Sequence, residues 1–406
     1  MNMPIIVQKF GGTSVATPTR IKKVAHRVID RKYDGYSVVV VVSAMGHTTD
    51  ELLELAKRVA DRPVPREIDM LLAAGEQVSA ALLALAINEL GCPAISLTGP
   101  QAGILSDDVH RKARIHDVRP QRVVAELKKG NVVVVAGFQG LNPRGDIATL
   151  GRGGSDMTAV ALAAALKAEQ CEIYTDVDGV YTADPRVEPE ARKLKAISYD
   201  EMLELASMGA QVLQMRSVEY AKYHRVVLHV RSSFNHSQGT LVKEVDSMEP
   251  GRIVSGIAHD SHVAKIAIKG VPDRPGVAFQ LFQALGENNI NVDMIIQGFN
   301  SDGLNDIAFT VAEEDLEEAV EITRQVALKL GAREVAYDSN VAKVSIIGAG
   351  MTSHPGVAAL MFGALADHGI NIQLISTSEI KISCIIDRKQ VDTAVRAIHR
   401  RFGLGT

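Results

Sequence analysis

A stretch in the C-terminal half of the chain is written twice. Residues 263–295, VAKIAIKGVPDRPGVAFQLFQALGENNINVDMI, return as 341–375, VAKVSIIGAGMTSHPGVAALMFGALADHGINIQLI. A repeat of this length requires one supersecondary unit that closes within about 70 residues, formed twice. Each copy reads as a strand, a P-G-V turn opening a helix, an I-N-[VI] turn and a second strand. The first copy continues into DIAFTVAEE and a helix near 315–330, the second into IKISCIID and a helix near 390–401. Each copy is therefore expected to be a ferredoxin-like β-α-β-β-α-β unit able to pair a sheet edge with its twin. The expected bounds are 261–335 and 336–406, preceded by a polar, turn-rich linker over 241–260.

The preceding 1–240 follows a different pattern. SVVVVVS (37–43) and NVVVVAGF (131–138) are continuous apolar runs without period-two alternation, as in strands covered on both faces. Between such runs lie helix-period segments. After Thr17, a candidate N-cap, and Pro18, the residues Ile21, Val24, Ala25, Val28 and Ile29 recur on one helix face. Further helices are expected near 50–60, 67–90, 156–168 and 210–223. The expected class is α/β, a mostly parallel sheet in a three-layer αβα sandwich.

Composition narrows the function. With a net charge of −4, 4% aromatic residues and no Trp, the chain carries neither the basic footprint nor the stacking platform of a nucleic-acid binder. Cys92, Cys171 and Cys384 are far apart and read as buried free thiols, and the twelve histidines include no H-E-x-x-H, so no metal motif is expected. The N-terminus MNMPIIVQKF is not a signal peptide, and no uncharged apolar run reaches about 18 residues, so a cytoplasmic protein without membrane contact is expected.

Four stretches carry candidate chemistry. In QKFGGTS (8–14), two glycines directly after an apolar strand suit a backbone that approaches phosphate, yet the lysine precedes them, unlike a Walker A loop. TLGRGGSD (149–156) opens a helix whose N–H groups make an anion site, or else a capped turn; Arg152 adds a carboxylate-gripping fork, and Asp156 either caps the helix or serves Mg2+. YTDVDGVYTADPR (174–186) follows a strand end, where α/β sheets bind ligands, although its residues also suit plain turns. In LLAAGEQVSAALLAL, Gly75-Glu76 interrupts an apolar helix and calls for a cation, either an internal Arg or Lys or a bound ammonium.

Taken in order, KFGGTSV, VVVSAMGHTTDELL, LLAAGEQ, TLGRGGSD and YTDVDGVYTADPR, followed by the doubled repeat, resemble the aspartate kinases of the amino acid kinase family, and the repeats resemble ACT domains. The resemblance covers nearly the whole chain. It implies transfer of the γ-phosphoryl group of ATP, accompanied by Mg2+, to the β-carboxylate of L-aspartate. The product, 4-phospho-L-aspartate, starts lysine, threonine and methionine synthesis. A carboxylate with a reference pKa of about 4 is already ionised at neutral pH, so such a reaction needs positioning and charge neutralisation, not a general base.

By the same resemblance, Lys9 contacts the transferring phosphate and Asp156 organises Mg2+ and Lys9. Gly11, Gly12 and Thr13 form the cradle, and Thr175, Asp176, Tyr181 and Arg186 contact the nucleotide. Ser43, Thr49, Phe138 and Ser155 line the substrate, Glu76 receives the aspartate ammonium, and Arg152 grips a carboxylate. Asp273, Pro275, Gly276, Val277, Asn291 and Gln297 in the first repeat, with Asn371, Ile372, Ser378 and Glu379 in the second, match effector positions; the asparagines also suit turns. Lysine, threonine or both are the implied inhibitors. The implied assembly is a homo-oligomer through ACT pairing, or an α2β2 form with a short chain starting near Met248.

One departure concerns GAQVLQM (209–215), where relatives read GAKVLHP: Gln211 is neutral, which puts a second cationic phosphate contact in doubt. Two rival readings stay open on the sequence: a kinase of the same fold acting on glutamate, acetylglutamate or UMP, and a non-catalytic amino-acid sensor.

Overall fold

The computed structural model describes residues 3–207, 212–244, 253–299 and 303–405. Gln211 and Met248 lie outside them. The chain divides into two compact units: residues 1–180, 193–206 and 211–246 form the first, and 181–192, 207–210 and 247–406 form the second.

The first unit is built on an eight-stranded sheet. From one edge its order is Ala196–Ile197, Thr240–Val242, Leu228–Ser232, Gln170–Thr175, Ile5–Phe10, Ser37–Val42, Val132–Ala136 and Ala94–Leu97. All neighbours are parallel except Leu228–Ser232 with Thr240–Val242. Val38, Val40 and Val42 pack beneath helices Pro18–Tyr33 and Pro65–Glu89, while Val39 and Val41 are equally buried on the opposite face, which helix Gly154–Leu166 covers. The valine runs are continuous because both faces of the sheet are dry. Thr17 caps its helix as expected, accepting the Arg20 N–H at 3.3 Å. The three cysteines are free and buried; burial pushes the Cys171 thiol up, and the Cys384 thiol up to about 12.

In the first unit two expectations need correction, and one feature was not expected. Leu241 and Val242, expected in the linker, complete an edge strand of the large sheet. The helix expected from 210 begins at Met215. A small four-stranded sheet was not expected at all: Ile115–Val118, Ile104–Ser106, Gln139–Leu141 and Ile147–Thr149, whose strands are too short to show a period.

In the second unit the repeats form one six-stranded sheet, ordered Ile295–Phe299, Leu304–Ala312, Gly256–Pro272, Glu334–Ile347, Lys381–Asp387 and Leu374–Thr377. The two central strands are long and shared. Glu334 to Val341 pair with Lys269 to Val263 in the first repeat's half, and Lys343 to Ile347 pair with Asp260 to Gly256 in the second repeat's half. The second repeat is thus not closed by a strand of its own after its last helix; Gly256–Asp260, expected as linker, closes it. The pairing register shifts between Asp260 and Val263, within one strand, where the ladder passes from the second repeat's half to the first's. The two P-G-V turns match: Gly276 and Gly356 both cap their helices at φ +94°.

Candidate functional site

Lys9 lies near the carboxyl end of Ile5–Phe10, and its ammonium is 2.6 Å from Asp156 Oδ1 in the first turn of helix Gly154–Leu166. The two side chains are 12% and 10% exposed, so water screens the pair little. The backbone after Lys9 turns at once into the single 3-10 turn Gly12–Val15. A Cβ on Gly12 would stand 2.9 Å from the Ala44 carbonyl oxygen, so Gly12 lets the loop lie close against the backbone at Ala44, while one on Gly11 would be in ordinary contact with Lys9 Nζ at 3.4 Å. Thr13 is exposed, and its carbonyl accepts from Arg20 at 2.6 Å.

The helix facing Lys9 starts at a left-handed Gly153 (φ +70°) with no side-chain cap. Asp156 is therefore the partner of Lys9; the Gly154 N–H is taken by the Gly151 carbonyl at 3.0 Å, and the Ser155 and Asp156 N–H groups that follow are the ones offered to a ligand. Phe138 is left-handed as well, at φ +68°, an unusual conformation for a bulky residue. Its N–H donates to Thr158 Oγ1 at 3.2 Å and its carbonyl accepts from Leu150 at 2.9 Å. A Cβ on Gly154 would meet the Phe138 ring at 2.7 Å, and one on Gly137 would meet Ser155 Oγ at 2.9 Å. Ser155 is buried, whereas Arg152, on the same loop, is exposed.

Ser43 and Thr49 flank the end of Ser37–Val42 and are half-buried. Behind them Glu76 is 3% exposed. Its Oε1 accepts the Ala44 N–H at 3.1 Å, while Oε2 is buried without a partner. Among the described residues no Arg or Lys meets that oxygen. Burial pushes its carboxyl up to about 7, against the smaller opposite pull of the Ala44 N–H. Gly75 makes this approach possible: a Cβ there would be 2.9 Å from that of Ala44.

Thr175 ends its strand with its hydroxyl on Asp176 Oδ1 at 2.9 Å, and Asp176 is exposed. Tyr181 and Arg186 belong to the second unit, where Arg186 Nη2 holds Asp184 Oδ2 at 2.7 Å and keeps that carboxyl below its usual range.

A cluster that sequence reading passed over lies beneath the cradle. Glu172 is fully buried on Gln170–Thr175 and accepts from Gln8 at 2.7 Å, Arg231 at 2.9 Å, Tyr174 at 3.0 Å and from Arg31. Burial alone would push its carboxyl up; Arg31 and Gln8 hold it down instead. The Tyr174 ring stacks on Phe10 at 4.6 Å, and its carbonyl accepts the Gly11 N–H at 3.4 Å, so the cluster sets the strand pair from which the cradle springs. The signal was available: a glutamate inside CEIY demands cations.

In the second unit, Asp273, Pro275, Gly276, Val277 and Gln297 come together around a cavity of about 210 Å3. Asn305 donates to Asp273 Oδ1 at 2.9 Å. Asn291 is exposed on the turn before Ile295–Phe299 and does not line the cavity. Asn371, Ser378 and Glu379 are exposed and Ile372 half-buried in the second repeat, away from this cavity's lining.

Comparison with known proteins agrees with the fold. The amino acid kinase family model matches residues 4–232, and the ACT domain model matches 266–325 and 344–402. An aspartate kinase of Pseudomonas putida is 53% identical over 404 residues, covering 99% of this chain and 98% of the relative. The crystal structure of E. coli aspartokinase III in complex with aspartate and ADP, in its R-state, is 25% identical, with a TM-score of 0.79 over 98% of this chain and 99% of that one. The T-state complex of the same E. coli enzyme with lysine and aspartate matches with a TM-score of 0.78 at 25% identity, over 98% and 99% of the two chains.

Proposed function

The chain belongs to the amino acid kinase family as an aspartate kinase with paired ACT domains, and from that premise we propose which residues carry its reaction and its feedback control. The enzyme transfers the γ-phosphoryl group of ATP to the β-carboxylate of L-aspartate, giving 4-phospho-L-aspartate and ADP. The β-carboxylate oxygen attacks phosphorus as the bond to the ADP oxygen breaks, with no proton to remove. Lys9 supplies a point charge to the phosphoryl group in transit, and Asp156 keeps that ammonium fixed at 2.6 Å. Gly11, Gly12 and Thr13 shape the phosphate cradle, and the open start of helix Gly154–Leu166 adds N–H donors. Thr175 and Asp176, at the end of Gln170–Thr175, contact the nucleotide.

Among the described residues no three His, Cys, Asp or Glu side chains gather as metal ligands. Asp156 offers a carboxylate beside Lys9, which suits a Mg2+ that would be bound mainly by nucleotide phosphates and water. When bound, that ion supplies neutralisation of phosphate charge.

Glu76 and Arg152 hold aspartate by its ammonium and a carboxylate, with Ser43, Thr49, Phe138 and Ser155 around it. The observation that carries this reading is the buried, unpartnered Oε2 of Glu76, a site that a ligand's ammonium completes. Trapping the acyl phosphate with hydroxylamine tests it. Aspartate should give hydroxamate with ATP, glutamate should give little, and Arg152→Gln and Glu76→Gln should each raise KM for aspartate at least tenfold; equal turnover of both amino acids defeats the assignment.

Lysine, threonine or both act as inhibitors. The Asp273–Gln297 cavity of about 210 Å3 is the first effector site, with Asn291 a further effector position of the first repeat outside that lining and Asn371, Ile372, Ser378 and Glu379 as the second repeat's counterparts. An effector that prefers one arrangement of the repeats shifts the kinase toward it. The protein works in the cytoplasm as a homo-oligomer or with a short chain starting near Met248. Inhibition that persists in Asp273→Ala/Gln297→Ala would disprove this effector site.

A further inference from the structure

About two turns before Glu76, on the same helix Pro65–Glu89, stands a second carboxylate that the reaction does not use. Asp69 is fully buried, and both of its oxygens are engaged. Oδ1 accepts the Thr149 hydroxyl at 2.5 Å, the Arg111 N–H lies 3.1 Å from both oxygens, and His110 Nδ1 is 2.7 Å from Oδ2. These partners come from two segments that brace each other. The Thr149 carbonyl accepts the Ala113 N–H at 2.9 Å, and the Arg111 carbonyl oxygen would be 3.2 Å from a Cβ on Gly151. Arg111 is itself left-handed (φ +67°), a conformation that a non-glycine residue keeps only when its surroundings hold it. Thr149 begins TLGRGGSD, so Arg152 follows it after one leucine and one glycine.

One rigid helix therefore does two things. Glu76 offers the ammonium site, and Asp69 fastens the root of the loop that carries the carboxylate clamp. We propose that Asp69 is a positioning residue for aspartate recognition, setting the distance between Arg152 and Glu76 through Thr149 and Arg111. The proposal rests on the reading of Arg152 and Glu76 given above. A buried carboxylate spent on a loop root costs desolvation, and a misplacement of that loop by about 1 Å is enough to weaken binding of a small ligand strongly.

Steady-state kinetics on the full-length enzyme test it. Asp69→Asn keeps the shape and removes the charge; Thr149→Val removes the hydroxyl, and Thr149→Ser keeps it. The first two should raise KM for aspartate about tenfold while leaving KM for ATP within about twofold, and Thr149→Ser should behave as wild type. Asp69→Asn added to Arg152→Gln should raise KM no further than Arg152→Gln alone, because both act through one clamp. Equal rises in both KM values, or additive effects in the double variant, overturn the proposal. If Asp69→Asn does not fold, the Thr149 pair decides alone. If Arg152→Gln leaves KM for aspartate unchanged, the clamp reading fails first; if Arg152→Gln raises it and Thr149→Val does not, only the positioning role fails.

Discussion

Glu76 has one carboxyl oxygen on the Ala44 N–H and the other buried without a partner, so the free enzyme stores a cost that substrate relieves. Its folded-state value, about 7, lies above the ordinary 4.5. A group raised in this way is tolerated at low pH, and its contribution is lost as pH rises through about 7. Glu76→Gln should therefore raise Tm at pH 8, by an amount reflecting roughly 3 kcal/mol at most, and hardly at all at pH 4, below the ordinary 4.5; thermal melts at the two pH values check it. Lys9 makes the opposite case. Lys9→Ala removes the charge that meets phosphate and leaves Asp156 buried without its cation, so turnover should vanish while aspartate binding, measured by calorimetry, is largely kept. Lys9→Arg should not restore activity, because a planar fork does not replace a compact ammonium.

At the scale of elements, the long helix Pro65–Glu89 decides where substrate sits. Glycine inside a helix is ordinarily about 1 kcal/mol worse than alanine, so Gly75→Ala would be stabilising on propensity alone. Here the added methyl would lie 2.9 Å from Ala44 Cβ, and overpacking of about 1–3 kcal/mol outweighs that gain. Gly75→Ala should lower Tm and raise KM for aspartate together. Gly75-Glu76 was readable in the sequence because a glycine and an acid have no business on an apolar helix without a reason. So were the valine strands, since their runs show dry faces directly. Thr149, Arg111 and Asp69 were not readable: they meet across strands of three or four residues and a left-handed arginine, and neither leaves a periodic trace. The left-handed Phe138 was named as lining the substrate only through the family resemblance, and its backbone conformation was equally hidden.

At the scale of the whole molecule, the repeat announced two units of one kind but not how they share strands. Residues Gly256–Asp260 precede the first copy in sequence and close the sheet of the second. A fragment beginning at Ile253 should therefore melt at a higher temperature, and aggregate less, than one beginning at Val263, which leaves Lys343–Ile347 as an unpaired edge. A short chain starting near Met248 would retain that strand. Aspartate recognition in the kinase unit turns on Glu76 as the ammonium site, and the pH profile of kcat/KM for aspartate tests this most directly. Wild type should lose activity about tenfold per pH unit below an apparent pKa near 7, because aspartate's ammonium needs the carboxylate ionised. Glu76→Gln should be low and flat across the same range; an unchanged acidic limb in Glu76→Gln, with wild-type kcat/KM, would contradict the account.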